Sequence, residues 1–355
     1  MMPPLHLRYG KRFPIKEAMS MEAIRIVFSE KMKVEISTEV FDAALGENEI
    51  LCAAICSMIS TGTELQCLRG VFDAGTNWSS WVQYPFHPGY SMVAEVLEVG
   101  TGVRKFQKGD RVFIESPHTQ YFKAVADHAV LLPNEVSPEQ GVWINLSKTT
   151  QLGVRRAELS LGETVGVIGL GLLGQLVTQY LYLSGVKEIY AIDPAESRVQ
   201  LVADKPGIHR MAMDAGKAHA QIAEQTKGQM LDVVFDITGH PAVLAQATQL
   251  VKPLGRVVLL GDTATPSMQE MGRNVVSNSV SILGIHAGMN FKGWHHPDMA
   301  DLFLTYLLQS RMDVKPLVTH HFSPLEAPQA YDLLVHNRSS AMGVLFDWTT
   351  LGKES

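Results

Sequence analysis

Three glycines, Gly169, Gly171 and Gly174, stand in residues 163–174, ETVGVIGLGLLG, at the G-x-G-x-x-G spacing that suits a dinucleotide pyrophosphate. The first allows a tight turn, the second lets phosphate approach the backbone, and the third lets the following helix pack on the preceding strand. A helix N-terminus behind them offers free N–H groups and a favourable dipole to the anion. Val165, Val167 and Ile168 read as the strand before the turn, and Leu172 and Leu173 open a helix that runs to Leu183. A second short strand over 188–192 ends at Asp193. A carboxylate there accepts hydrogen bonds from the adenosine ribose hydroxyls and repels a 2′-phosphate, so NAD is expected over NADP. Arg198 either flanks the adenosine or is a solvated helix arginine, and with Lys187 it could soften that preference.

The surrounding chain has the elements to hold such a turn. Its 355 residues and 46% apolar content predict two domains with sizeable cores. Strands at 165–168, 188–192, 232–236 and 256–260, with a helix at 242–251 and a further strand at 280–284, predict an α/β fold, a Rossmann doubly wound parallel sheet. Residues 22–55, 92–114 and 120–132 read as β-structure, the last as a strand pair, and 57–91 as a long irregular loop bearing Trp78, Trp81, Tyr84 and Phe86. Helices are predicted at 299–309 and 328–337 and a last strand at 343–346. The domain boundaries fall at 1–150 with 288–355 for the β-rich part and 151–287 for the nucleotide part.

The net charge of −6, with no basic block, argues against a nucleic-acid partner. No apolar run approaches the length of a membrane span. Residues 1–20 lack the apolar segment of a secretory signal, which favours a cytoplasmic protein, and they carry no assigned role. Cys52, Cys56 and Cys67 are an odd set without a disulfide framework and read as core cysteines rather than metal ligands.

The chain resembles the medium-chain dehydrogenase/reductases, the alcohol-dehydrogenase-like superfamily, from about Met21 to Asp347. The likeness is carried by Glu49-Ile50-Leu51, by residues 95–112 (EVLEVGTGVRKFQKGDRV), by Leu132-Pro133, and by 232–239 (DVVFDITG) and 255–261 (GRVVLLG). It implies a GroES-like catalytic domain beside the Rossmann domain, and Thr238 joins the expected cofactor residues. The departures bear on mechanism. Ser60 in 59–64 (ISTGTE) stands where zinc members carry a cysteine, Tyr90 where they carry a histidine, and Ile144 near their third ligand. Residues 113–121 hold none of the cysteines of a structural zinc lobe. A catalytic zinc needs three side-chain ligands, so no zinc is expected. Among zinc-free members the chain resembles the bacteriochlorophyllide-a dehydrogenase-like proteins, which implies oxidation of a secondary alcohol on a larger molecule.

Without zinc, a general acid/base must handle the alcohol proton and a donor must stabilise the oxyanion. Lys148, four residues after Ile144 and expected on the same helix face, is the first candidate; a lysine bound to cofactor phosphate or solvent is the alternative. Tyr90 is the second, against a plain aromatic wall. Thr63 matches the position of the family's hydroxyl relay, and Ser60 can donate too; both could instead only shape the loop. Glu64 reads as a structural pair, His87 as a loop histidine close to Tyr90, His118 as a weaker candidate still, and His295-His296 as a helix start with Pro297 in its first position. The loop aromatics suggest an apolar or ring-bearing substrate, or core packing. Rival readings are an NADPH-dependent reductase of an activated C=C bond and a non-catalytic nucleotide-binding protein. Residues 280–288 (VSILGIHAG) are a candidate dimer strand.

Overall fold

The computed structural model describes residues 20–352. The N-terminal stretch singled out above lies, but for Ser20, outside the described residues. β1 (Ser20–Glu30) and β2 (Lys33–Asp42) form an antiparallel hairpin, followed by β3 (Glu49–Met58). Two helices come next, α1 (Thr61–Arg69) and α2 (Asn77–Trp81), where the sequence predicts only loop. The face α1 buries includes Thr61 and Glu64 beside Leu65 and Leu68, so its polarity hides the apolar period that marks a helix.

The catalytic sheet continues with β4 (Met92–Val99), β5 (Arg111–Ile114), β6 (Tyr121–Val125) and β7 (Val130–Leu131). The strand pair predicted over 120–132 does not form: β6 pairs with β3 and β7 with β5. α3 (Pro138–Gly141) opens on a capping box, in which Ser137 Oγ accepts from the Gln140 N–H and the Gln140 side chain accepts from the Ser137 N–H. α4 (Ile144–Arg156) is one continuous helix, so the predicted boundary at 150 falls inside it.

The nucleotide-binding half comprises β8 (Thr164–Ile168), α5 (Leu172–Leu183), β9 (Glu188–Asp193), α6 (Glu196–Val199), β10 (Ile208–Ala212), α7 (Ala215–Gln225), β11 (Leu231–Asp236), α8 (Val243–Leu250), β12 (Val251–Leu259) and β13 (Ser281–Gly284). Its six strands run parallel in the order β10-β9-β8-β11-β12-β13. Numbered within this half, that is 3-2-1-4-5-6, with the switch point between β8 and β11 where such sheets bind dinucleotides. Apolar side chains on both faces of β8, β9 and β11 are buried, as helices on both sides require. β10 escaped the sequence reading because this short edge strand is mostly half-exposed.

The chain returns through α9 (His296–Leu308), β14 (Val318–Phe322), α10 (Ala327–His336) and β15 (Gly343–Asp347). β14 and β15 extend the catalytic sheet to β14-β15-β3-β4-β5-β7. His296 rather than Pro297 is the first residue of α9, and His295 caps it. One buried cluster joins Met58 and Val93 of the catalytic sheet to Ile144 and Leu146 of α4, Leu172 and Leu176 of α5, and Phe303 of α9. These three helices therefore hold the two sheets together, and the cleft opens beside them.

Candidate active site

The turn after β8 is built as its glycines require. Gly169 has φ 93°, a backbone state that L side chains rarely adopt. A Cβ on Gly174 would collide with the Gly169 carbonyl oxygen, so Gly174 packs helix on turn and does not itself line the cleft. Gly169, Gly171, Leu172, Leu173, Asp193, Arg198 and Thr238 all line a single cavity of about 900 Å³. The N-terminus of α5 opens onto it with Gly171 as its cap. The Leu170 N–H donates to Asp193 Oδ2 and the Ala195 N–H to Asp193 Oδ1, both at 2.8 Å. Asp193 thus ties the glycine turn to the loop after β9. Thr238 Oγ1 donates to Asp236 Oδ1 at 2.7 Å, and burial pushes the Asp236 carboxyl up. The residues present fit a nicotinamide dinucleotide.

Three arginines gather beside Asp193. Arg198 Nη1 lies 3.6 Å from Asp193 Oδ2, and Arg198 Nη2 donates to the Arg338 carbonyl at 3.2 Å. Arg338 and Arg69 line the same cavity. Burial, then the like charges of Arg198 and Arg69, push the Arg338 guanidinium down to about 10, against the opposing pull of Asp193. Among the described residues, the buried Nε atoms of Arg198 and Arg338 have no hydrogen-bond partner. Arg69 and Arg338 were missed in the sequence because they come from distant segments.

On the facing wall, the start of α1 meets Tyr90. The Tyr90 hydroxyl is hydrogen-bonded to Ser60 Oγ and lies 3.1 Å from Thr63 Oγ1. Burial pushes the Tyr90 phenol up, so it remains a neutral donor through the alkaline range. A polar stack lies beneath. Glu64 accepts from the Ser60 N–H at 2.7 Å and from Tyr331 at 2.5 Å, and meets His118 Nε2 at 3.1 Å. His118 Nδ1 meets Ser57 Oγ at 2.8 Å, and Trp348 Nε1 donates to the same oxygen. His118 is therefore buried support, with no face in the cleft.

α4 supplies the remaining polar groups. Lys148 Nζ donates to Glu115 Oε1 at 2.7 Å, and both residues line the cavity. Asn145 lines it too, and its Nδ2 donates to the Tyr90 carbonyl at 3.1 Å. Ile144 does not share the face of Lys148: it is fully buried against the core that joins the sheets. Residues four apart on a helix differ by about 40° around its axis, and here that separates core from cleft. His87 stands 4.0 Å from Glu39 and outside the cavity lining. Of the loop aromatics, Trp78 (8% exposed) and Trp81 (46%) line the cavity, whereas Tyr84 donates to the Cys67 carbonyl and Phe86 packs on the core.

The zinc positions do not fit a zinc. Ser60 and Tyr90 present hydroxyls bonded to each other and Ile144 an aliphatic chain, whereas zinc sites are built from thiolate, imidazole and carboxylate. Among the described residues no group of three or more His, Cys, Asp or Glu side chains is placed to hold a metal ion. Cys52, Cys56 and Cys67 are buried free thiols.

Two family models match the chain: a zinc-binding dehydrogenase model over residues 173–303 and an alcohol dehydrogenase GroES-like domain over 48–134. The (R,R)-butanediol dehydrogenase of Bacillus subtilis is 29% identical over 56% of this chain, and the match spans only 63% of that relative's length. The L-threonine 3-dehydrogenase of Caldanaerobacter subterraneus is 27% identical over 73% of this chain and 82% of its own. The chain belongs to the medium-chain dehydrogenase, alcohol-dehydrogenase-like superfamily. Two solved structures share the fold across 92% of this chain and 99% of theirs, each at 19% identity. One is a Sinorhizobium meliloti protein bound to NADP (TM-score 0.75), the other a protein described as a short chain alcohol dehydrogenase from Escherichia coli with NADH (TM-score 0.74). Within this dehydrogenase superfamily the chain keeps the glycine turn of the nucleotide domain.

Proposed function

We propose that the chain is a zinc-independent, NAD-dependent dehydrogenase that moves a hydride between the nicotinamide and a secondary alcohol or the corresponding ketone. The observation that carries this reading is the single cavity with the glycine turn on one wall and Lys148, Tyr90, Ser60 and Thr63 on the other. The bound cofactor supplies the hydride carrier. In the ketone-reducing direction Lys148 donates a proton to the substrate oxygen, and in the other direction it takes one. Tyr90 turns its single O–H from Ser60 to the same oxygen as charge builds on it, and Ser60 then donates to the Tyr90 oxygen. Ser60 and Thr63 hold the Tyr90 hydroxyl in place, while Glu115 holds Lys148 at the cleft. Trp78 and Trp81 favour an apolar or ring-bearing substrate body. Secondary alcohols and ketones assayed with all four nicotinamide cofactors, read at the nicotinamide absorbance, test the reading; failure of every pair overturns it.

A second reading of the cofactor has its own support. Asp193 favours NAD, yet its oxygens are engaged by two backbone N–H groups, and Arg69, Arg198 and Arg338 make the same corner strongly cationic. Such a corner accepts the extra phosphate of NADP.

We also assign the chain to a homodimer paired along β13, one of the two edges of the nucleotide sheet. Leu254 (75% exposed), in the neighbouring β12, and Val276 (88%), in the segment leading to β13, leave apolar surface for a second copy to cover. The three free cysteines support a cytoplasmic setting. No helix among the described residues is long and apolar enough to cross a membrane.

A further inference from the structure

A second cavity, of about 410 Å³, lies on the far side of α4. It shares no lining residue with the cleft and is bounded by α4, α5, α9 and the loop before α9. The volume is within the range of small-molecule sites. Val154, Leu159, Leu183 and Leu302 give it apolar walls.

Its polar groups are incomplete in a consistent way. Arg155, in the last turn of α4, lies with its guanidinium carbon 3.3 Å from the centre of the Trp294 ring. Among the described residues no carboxylate comes within ion-pair distance of Arg155, and its buried Nε has no hydrogen-bond partner. Of the acids around it, Glu158 on the rim is taken by Lys292 at 2.5 Å, and Asp298, whose charge pulls on Arg155 from a distance, accepts from the His295 N–H. Burial pushes the Arg155 guanidinium down from its ordinary value. Gln151, 2% exposed, donates from Nε2 to the Met299 carbonyl at 2.7 Å. A carbonyl can only accept, so this bond fixes the orientation of the amide. Gln151 Oε1 is then a buried acceptor without a donor. A cation without an ion-pair partner and an acceptor without a donor therefore line one cavity of mixed polar and apolar walls, and each is costly to leave unmatched.

We propose that this cavity is a second small-molecule site, for a hydroxy acid with an apolar or aromatic body. The carboxylate pairs with Arg155, the hydroxyl donates to Gln151 Oε1, and the body lies against the aliphatic walls. The site does not depend on the dehydrogenase reading. It is nonetheless built on the helix that carries Lys148.

Calorimetric titration with mandelate and with phenylacetate, which differ by one hydroxyl, tests the site, both on the free chain and on the chain saturated with NADH. Mandelate should bind about five- to tenfold more tightly than phenylacetate, the worth of one hydrogen bond. Arg155→Gln should weaken both by about tenfold or more, and Arg155→Lys should restore part of the loss. A thermal melt of each variant confirms that it is folded. No binding up to millimolar concentration, binding unchanged by Arg155→Gln in the folded variant, equal affinity for the two acids, or displacement by NADH would each overturn the proposal.

Discussion

Lys148 Nζ and Glu115 Oε1 stand 2.7 Å apart at the wall of the cleft, joining the second turn of α4 to the end of β5. The pair holds an amine in the wall of the cavity that Tyr90 also lines, without burying an uncompensated charge. Lys148→Ala should therefore cut turnover by about two to four orders of magnitude while cofactor affinity stays within a few-fold. Steady-state kinetics with a separate NADH titration check both parts. Retained turnover with weakened cofactor binding would move Lys148 from proton transfer to phosphate binding.

Tyr90→Phe removes the hydroxyl that meets Ser60 and Thr63. The expected loss in kcat is about a hundredfold, the usual effect of removing one oxyanion donor. Because burial raises the Tyr90 phenol, it stays protonated across the working range, and the alkaline limb of the pH–rate profile should keep its position in the variant. A limb that moves in Tyr90→Phe would make Tyr90 the titrating base.

The corner beside Asp193 predicts an asymmetric cofactor response. Asp193→Asn should shift preference toward NADP by relieving repulsion, whereas Arg338→Ala should weaken both cofactors by about tenfold, as loss of a charge-assisted contact does. Fluorescence titrations with NADH and NADPH separate the two. An Arg338→Ala variant that loses only NADPH binding would favour the NADP reading.

His296 packs edge-on against Phe113, 4.0 Å from Glu115. Burial first, then the charge of Lys148, push its pKa below the ordinary value of about 6.5, against the pull of Glu115. Between the lowered folded value and the ordinary unfolded one, the unfolded chain binds more protons, so stability rises with pH. The parent should therefore lose stability as pH falls through about 6.5, and His296→Gln should flatten that dependence. Denaturant melts over the acid range give the comparison; equal slopes in the two proteins contradict it.

Much of this molecule was legible in the sequence because its information is local. The glycine turn and Asp193 belong to one βαβ unit, and the buried parallel strands β8 and β11 show short apolar runs, Val165 to Ile168 and Val233 to Phe235. What escaped was polar or assembled from afar. α1 buries Glu64 and Thr61, so its apolar period is weak, and the edge strands β10 and β14 carry half-exposed side chains. Arg338 reaches the cleft from a segment remote from the motifs, and Glu115, just past the 95–112 motif, has no spacing to mark it. Ile144 reads as a cleft neighbour of Lys148 because residues four apart lie within about 40° around a helix, but at the joint of the two sheets that offset is enough to bury Ile144 in the core.

The most direct measurement is turnover of a secondary alcohol with NAD after exhaustive chelation, on protein whose metal content is determined in the same preparation. The account predicts undiminished turnover in a chain without stoichiometric zinc. One zinc per chain, with activity lost on its removal and restored on its return, would contradict it.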